Sequence, residues 1–247
     1  MNDGRKRPPR KRLPWRAILV FHVLAASLAA NVGLMLACLD LYRREQLVRL
    51  HPTFPVPAAV PRTAGRAQVL FLGDSRMQEW PALPADRFVT VNAGGGGETT
   101  AQIRLRAAPV LDAVRPELVV LQAGINDLKT IGALPQLAQE IETKCVANLS
   151  ALVELCRERG ARVVLVPVLP TSRPSLVRRL VWSPEIDAAR RRVNRALRQR
   201  FSGASGVALL DENLLRADAT DYRDTLHFRA EAYPKLEAAT LKAFDAL

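Results

Sequence analysis

Apolar residues recur along this chain in two rhythms. Between Ala17 and Leu39 they run almost unbroken, interrupted only by His22, Ser27 and Asn31. As a helix rising about 1.5 Å per residue, that stretch is long enough to cross a bilayer core of about 30 Å. After Arg66 the rhythm changes, and short apolar runs alternate with longer stretches of helical period. The runs Gln68–Leu72, Phe88–Asn92, Leu118–Gln122, Arg162–Val168 and Val207–Leu210 predict strands. Helices are predicted near Thr99–Ala113, Pro135–Arg159, Pro184–Phe201 and Ala230–Phe244. The third opens on Ser183-Pro184-Glu185 with Asp187 close behind: a cap, a first-turn proline and early acids. Strands alternating with helices predict an α/β domain, a parallel five-stranded sheet with helices on both faces.

Between the two regions the pattern predicts a connector. Asp40 to Leu50 is charged and continues the apolar helix outward, while Pro52, Pro55, Pro57 and Pro61 make a semi-extended spacer. Four segments follow: a basic tail (1–16), a transmembrane helix acting as a signal anchor (17–39), a juxtamembrane and proline-rich linker (40–65) and one domain (66–247). A length of 247 residues suits one domain with an appendage.

The net charge of +12 changes the picture only through its distribution. Residues 1–16 hold seven Lys/Arg against one Asp and residues 17–66 hold five against two, leaving +3 for the remaining 181 residues. The basic excess before Ala17 places the N-terminus in the cytoplasm by the positive-inside rule, and the domain outside it. The expected location is a bacterial inner membrane, crossed once, with the domain periplasmic. A cleaved signal peptide is the competing reading, but the apolar run exceeds the usual h-region of about 7–15 residues and no clear cleavage site follows. Leu36-Ala37-Cys38 only faintly resembles a lipoprotein signal, Met35 and Leu36 being poor residues there. No nucleic-acid partner is expected. Arg190, Arg191, Arg192, Arg195, Arg198 and Arg200 read as a solvated basic face opposite Ile186, Ala189, Val193 and Leu197.

Cysteine and histidine are scarce. Cys145 and Cys156 fall within one predicted helix, too far apart along it to bridge, and are expected as free core thiols. With one histidine beyond residue 51, no metal site and no cofactor are expected.

That histidine, His227, stands three residues after Asp224. An imidazole that takes a hydroxyl proton and a carboxylate that orients it are what serine-based acyl transfer requires. Far upstream, Val69-Leu70-Phe71-Leu72 delivers Gly73-Asp74-Ser75 at the end of the first strand. Asn92-Ala93-Gly94-Gly95-Gly96-Gly97-Glu98-Thr99 follows the second strand, and Gly124-Ile125-Asn126-Asp127 follows the third. Each block alone reads as a turn, but in parallel α/β sheets function collects beyond the carboxyl ends of strands, and all three land there.

Over residues 67–247 the chain resembles the SGNH hydrolase superfamily, the GDSL-type esterases and lipases, through Ser75, Gly97, Asn126 and His227, with Asp224 as the acid before His. The resemblance implies a flavodoxin-like three-layer α/β/α sandwich. It also implies Ser75 as nucleophile, His227 as general base and then acid, and Asp224 as its orienting carboxylate. The implied oxyanion hole is the N–H groups of Ser75 and Gly97 with the Asn126 amide. Arg76 departs from the Leu that many members carry there.

The expected function is a membrane-tethered serine esterase acting on small, chiefly acetyl, esters of a carbohydrate or lipid. An O-acyltransferase acting on an envelope or exported polysaccharide is the first alternative. A non-catalytic glycan-binding envelope module is the second. The chemistry names a small ester, glycan or lipid as substrate and the membrane as the helix's partner, and leaves protein partners open. The segment from Pro170 to Ser183 stays open: with Leu176, Val177, Leu180, Val181 and Trp182 beside Arg178 and Arg179, it lines an acyl pocket, touches the membrane or packs on the core.

Overall fold

Ala67–Gly73 forms the first strand (β1), and every residue of it but Ala67 is buried. A strand buried on both sides belongs at the centre of a sheet covered on both faces. In the computed structural model, which describes residues 14–50 and 55–247, β1 lies between β2 (Phe88–Gly94) and β3 (Leu118–Gln122). β4 (Arg162–Leu165) and β5 (Val207–Leu209) continue outward from β3. All pairings are parallel and the order is β2-β1-β3-β4-β5, the doubly wound, flavodoxin-like arrangement. The α-helices are α1 (Trp15–Leu50), α2 (Ser75–Gln78), α3 (Thr100–Val114), α4 (Ile125–Leu128), α5 (Ala138–Glu158), α6 (Glu185–Phe201) and α7 (Tyr233–Asp245).

Side chains alternate across a strand, so each central strand feeds two cores. Leu70, Leu72, Val119, Leu121, Val163 and Leu165 join the buried faces of α3, α5 and α6. Val69, Phe71, Val120 and Val164 point the other way, onto Met77, Trp80 and the α7 residues Tyr233, Leu236 and Phe244. These are the three layers that the hydrophobic rhythm predicts.

Two expectations change. The fourth strand ends at Leu165 rather than Val168, because Val168 has its peptide group satisfied by a helix. Its N–H donates to Asn194 Oδ1 at 2.9 Å, and its carbonyl accepts from Asn194 Nδ2 at 3.1 Å. On α6 the basic face is exposed at Arg191, Arg192, Arg195, Arg198 and Arg200, as expected, and departs from that reading at Arg190. Arg190 is buried and bonds Asp187 at 2.7 Å and Glu212 at 3.0 Å. Arg191 pairs with Asp187, Arg192 with Glu142 and Glu185, and Arg198 with Glu212. Carboxylates neutralise most of this face.

The chain divides into two units, with the boundary between residues 52 and 53. Within the first, Trp15–Arg43 is long and apolar enough to cross a membrane, and none of it is buried. Leu19, Phe21, Leu24 and Leu28 are among its exposed apolar side chains. α1 continues through the charged residues to Leu50, as their composition predicts. Residues 1–13 of the basic tail, and 51–54 of the linker, lie outside the described residues.

Cys145 and Cys156 are buried, unbridged, and carried by the single helix α5. Burial pushes the Cys156 thiol up to about 12 and raises that of Cys145 well above its usual range. Both are therefore expected to stay reduced under oxidising conditions. Mass spectrometry of unreduced peptides checks this, and a Cys145–Cys156 cross-linked peptide would contradict it.

Candidate active site

β1 runs straight into the site. Asp74, at its end, caps the short turn α2 by accepting the Arg76 N–H at 2.9 Å, and this sets Ser75 at the first position of the turn. The first N–H groups of a helix have no acceptor within it, so the amide of Ser75 points out of the turn. β2 ends close against the same turn. A Cβ on Gly94 would meet the Gln78 backbone N at 2.2 Å, so only glycine lets the second strand come this near. Asn92 secures the contact, donating from Nδ2 to the Met77 carbonyl at 2.9 Å while its Oδ1 accepts the Gly94 N–H at 2.9 Å.

The other half of the site comes from the segment before α7. Asp224 Oδ1 accepts the N–H groups of Leu226 at 2.7 Å and His227 at 2.9 Å, which winds Asp224–His227 into a tight turn. Asp224 Oδ2 lies 2.8 Å from His227 Nδ1, and His227 Nε2 lies 3.1 Å from Ser75 Oγ. A carboxylate can only accept, so Nδ1 carries the proton and Nε2 presents its lone pair to the serine hydroxyl. Ser75, 152 residues before His227, meets His227 and Asp224 in one line of hydrogen bonds.

The loop that follows β2 is tied to Asn126 at the residue after Gly97. Gly97 is exposed at φ +82°, a left-handed conformation natural to glycine, in a turn with Gly96. The next residue ties the loop down: Asn126 Nδ2 donates to the Glu98 carbonyl at 2.9 Å, and Lys129 Nζ donates to Asn126 Oδ1 at 2.6 Å. Glu98 forms a buried ion pair with Arg106, which also donates to the Ala93 carbonyl at 2.8 Å. Asp127, adjacent in sequence, holds the start of α3 by accepting the Thr100 N–H at 2.9 Å and its hydroxyl at 2.6 Å. The glycine run is thus a clamped loop rather than a free connector.

Sequence reasoning did not assign a part to Arg76. It is fully buried, and its Nε, Nη1 and Nη2 donate to the carbonyls of Leu226 at 2.8 Å, Leu169 at 2.9 Å and Pro170 at 3.1 Å. Its guanidinium lies 5.0 Å from the Phe228 ring centroid and 5.9 Å from that of Tyr222. The only trace in the sequence is a charged residue where an apolar one is usual. Lys129 was missed as well. Burial and the neighbouring Arg178 lower its pKa. The segment after β4 is less buried than a loop packed on the core: Leu176, Val177 and Leu180 are about four-fifths exposed, whereas Trp182 packs against the core. Among the described residues, no group of three or more His, Cys, Asp or Glu is placed to hold a metal ion.

Residues 62–234 match the model of the GDSL-like lipase/acylhydrolase family. The chain belongs to that family. Among curated proteins, none matches it by sequence. Solved structures share the fold of this acylhydrolase at low identity. A GDSL-like lipase from Bacteroides thetaiotaomicron is 19% identical at a TM-score of 0.57, with 84% of this chain and 98% of that one covered. A catalytic mutant of an acetylxylan esterase from Geobacillus stearothermophilus is 16% identical at 0.56, with 76% and 96% covered.

Electrostatics differ sharply between the two acids of this serine ester hydrolase. Asp74 is fully buried, and burial pushes it up to about 6 against the pull of Arg76. Burial raises Asp224 too, but the N–H groups of His227 and Leu226 and the imidazole outweigh it and hold the carboxyl at about 2, below its ordinary 3.8. An acid with a folded pKa below its unfolded value stabilises the fold above that value, and the contribution is lost as pH falls through the folded pKa. Between about pH 4 and pH 2 the wild type should therefore lose stability relative to Asp224→Asn. Thermal unfolding across that window measures it, and parallel curves for the two proteins would contradict the assigned hydrogen bonds.

Proposed function

We propose that this acylhydrolase is a membrane-tethered serine esterase that removes small acyl groups, acetyl above all, from a carbohydrate or lipid outside the cytoplasm. The observation that carries the catalytic reading is the pair of hydrogen bonds, 3.1 Å and 2.8 Å long, running from Ser75 Oγ through His227 to Asp224. His227 Nε2 takes the hydroxyl proton as Ser75 Oγ attacks the ester carbonyl. Asp224 holds the tautomer and stabilises the imidazolium. The N–H groups of Ser75 and Gly97 and the second Nδ2 proton of Asn126 receive the oxyanion. The first Nδ2 proton is already given to the Glu98 carbonyl, which fixes the amide plane. Collapse of the tetrahedral adduct sends the His227 proton to the leaving alcohol and leaves acyl-Ser75. Water, deprotonated by His227, then releases the acid and restores the serine.

The catalytic domain in this reading is 66–247, joined by the 40–65 spacer to an anchor at 17–39 and a cytoplasmic tail at 1–16. The tether is supported by the apolar span within Trp15–Arg43, and the periplasmic orientation by the seven Lys/Arg among residues 1–16. A preference for a small acyl group is supported by a domain with little beyond the sandwich. The likeness to an acetylxylan esterase supports an acetylated carbohydrate.

Ser75→Ala and His227→Ala are each expected to lower kcat by about 10³-fold or more, with the double variant no worse than either, since the two act as a unit. Asn126→Ala is expected to cost about 10²–10³-fold, the usual loss of one oxyanion donor. Turnover of esters from acetyl to octanoyl by the full chain in detergent provides the measurement. Activity should fall with chain length, and water should outcompete added sugar as acceptor. Near wild-type turnover in a folded Ser75→Ala variant would remove the mechanism.

Protease added to intact spheroplasts is expected to digest the domain. Survival of an intact 66–247 fragment in sealed cells would reverse the orientation.

A further inference from the structure

Beside Asp224 lies a hollow of about 490 Å³ whose walls carry Arg173, Arg178, Arg223 and Arg229 together with Asp224 and Tyr222. Two of these arginines come from the loop after β4, and two flank the turn that holds the imidazole. On α6, Arg190, Arg191, Arg192 and Arg198 all have carboxylate partners. The arginines of the hollow are less fully neutralised. Arg223 pairs with Glu79 at 2.7 Å. Arg229 is held by the carbonyls of Ala219 at 2.8 Å and Tyr222 at 3.2 Å, which position its charge without neutralising it. Among the described residues, neither Arg173 nor Arg178 has a carboxylate partner.

Arg178 is half-buried and stacked 5.8 Å from the centroid of Trp182, so its guanidinium is placed rather than free to swing away. It also lines a second hollow of about 290 Å³ with Lys129 and Trp182, and Lys129 in turn reaches Asn126. Positive charge therefore extends from the side of the triad acid to the side of the amide. Like charges gathered in a concave site repel one another, and a bound anion relieves that cost by charge-assisted hydrogen bonds to guanidinium.

We propose that the arginine-walled hollow is a subsite for a fixed negative charge on the substrate, a carboxylate or phosphate carried next to the acyl ester. The class of substrate is then an acidic sugar ester rather than a neutral one. This rests on the esterase reading, since the hollow lies two hydrogen bonds from Ser75 Oγ, through Asp224 and His227. Arg173 and Arg178 take the anion, and Arg223 and Arg229 supply the surrounding field. A planar guanidinium fork suits both carboxylate and phosphate.

The test compares O-acetyl glucuronate, O-acetyl glucose 6-phosphate and O-acetyl glucose as substrates for the full chain in neutral detergent. The ratio of kcat/KM for each charged ester over the neutral one is expected to be about tenfold, expressed in KM, and to shrink in high salt. Whichever charged ester shows the larger ratio identifies the source of the charge. Arg173→Gln/Arg178→Gln should bring both ratios toward one. Equal kcat/KM for charged and neutral esters, or a preference that survives the double variant, overturns the proposal. Calorimetry with glucuronate and glucose on Ser75→Ala removes the dependence on turnover. Glucuronate binding that the arginine substitutions weaken about tenfold supports the subsite. Equal binding of the two sugars overturns it. Loss of all ester turnover alongside intact glucuronate binding would count against the esterase reading alone.

Discussion

The side chain of Arg76 leaves the turn that carries Ser75, enters the interior and gives its three kinds of N–H to the carbonyls of Leu226, Leu169 and Pro170. One guanidinium thereby joins three parts of the chain: the end of β1, the loop beyond β4 and the turn bearing His227. Tyr222 adds a hydroxyl bond to the Pro170 carbonyl, and its ring and that of Phe228 flank the charge. Hydrogen bonds to charged groups contribute about 1.5–3 kcal/mol each, and removing one partner of a buried charged contact costs about 3–5 kcal/mol. The 3.1 Å contact between Ser75 and His227 depends on this anchorage. Any drift of the Leu226 carbonyl would carry the imidazole with it.

A comparable clamp secures the opposite wall. Glycine is chosen at the end of β2 and beyond it because Gly94 must pass within touching distance of Gln78 and Gly97 must turn left-handed. Glycine also leaves a chain with much conformational freedom to lose. The bond from Asn126 to the Glu98 carbonyl, the Glu98–Arg106 ion pair and the Asp127–Thr100 bonds supply the missing stiffness from neighbours. Such a loop can present a backbone N–H in a fixed direction, which a preorganised oxyanion site demands.

The sandwich and the four blocks were legible in the sequence because each leaves a local signature. Central strands read as apolar runs, helices as a 3.6-residue period, and the blocks as turn residues at strand ends. The part played by Arg76 was not legible. Its carbonyl partners lie 93, 94 and 150 residues away, and a backbone carbonyl carries no side-chain identity for a pattern to register. The burial of Arg190 was hidden for a different reason, since its partner Glu212 lies beyond β5, 22 residues away. The fourth strand was read too long because Val168 remains apolar where a helix side chain has replaced the neighbouring strand.

Asp224 and His227 sit in one turn, closed by bonds that reach no further than three residues. Ser75 lies 152 residues earlier. Asp224 and His227 can therefore come together from local contacts, whereas the contact with Ser75 requires β1, β3 and β4 to be paired and Arg76 to hold its carbonyls. Contacts of such long sequence separation carry a larger loop-closure cost than local ones. A partly folded molecule could keep its strands, its helices and its Asp224–His227 turn and still hydrolyse nothing. For this enzyme, ester cleavage reports that the second unit has closed, which no count of its secondary structure could do.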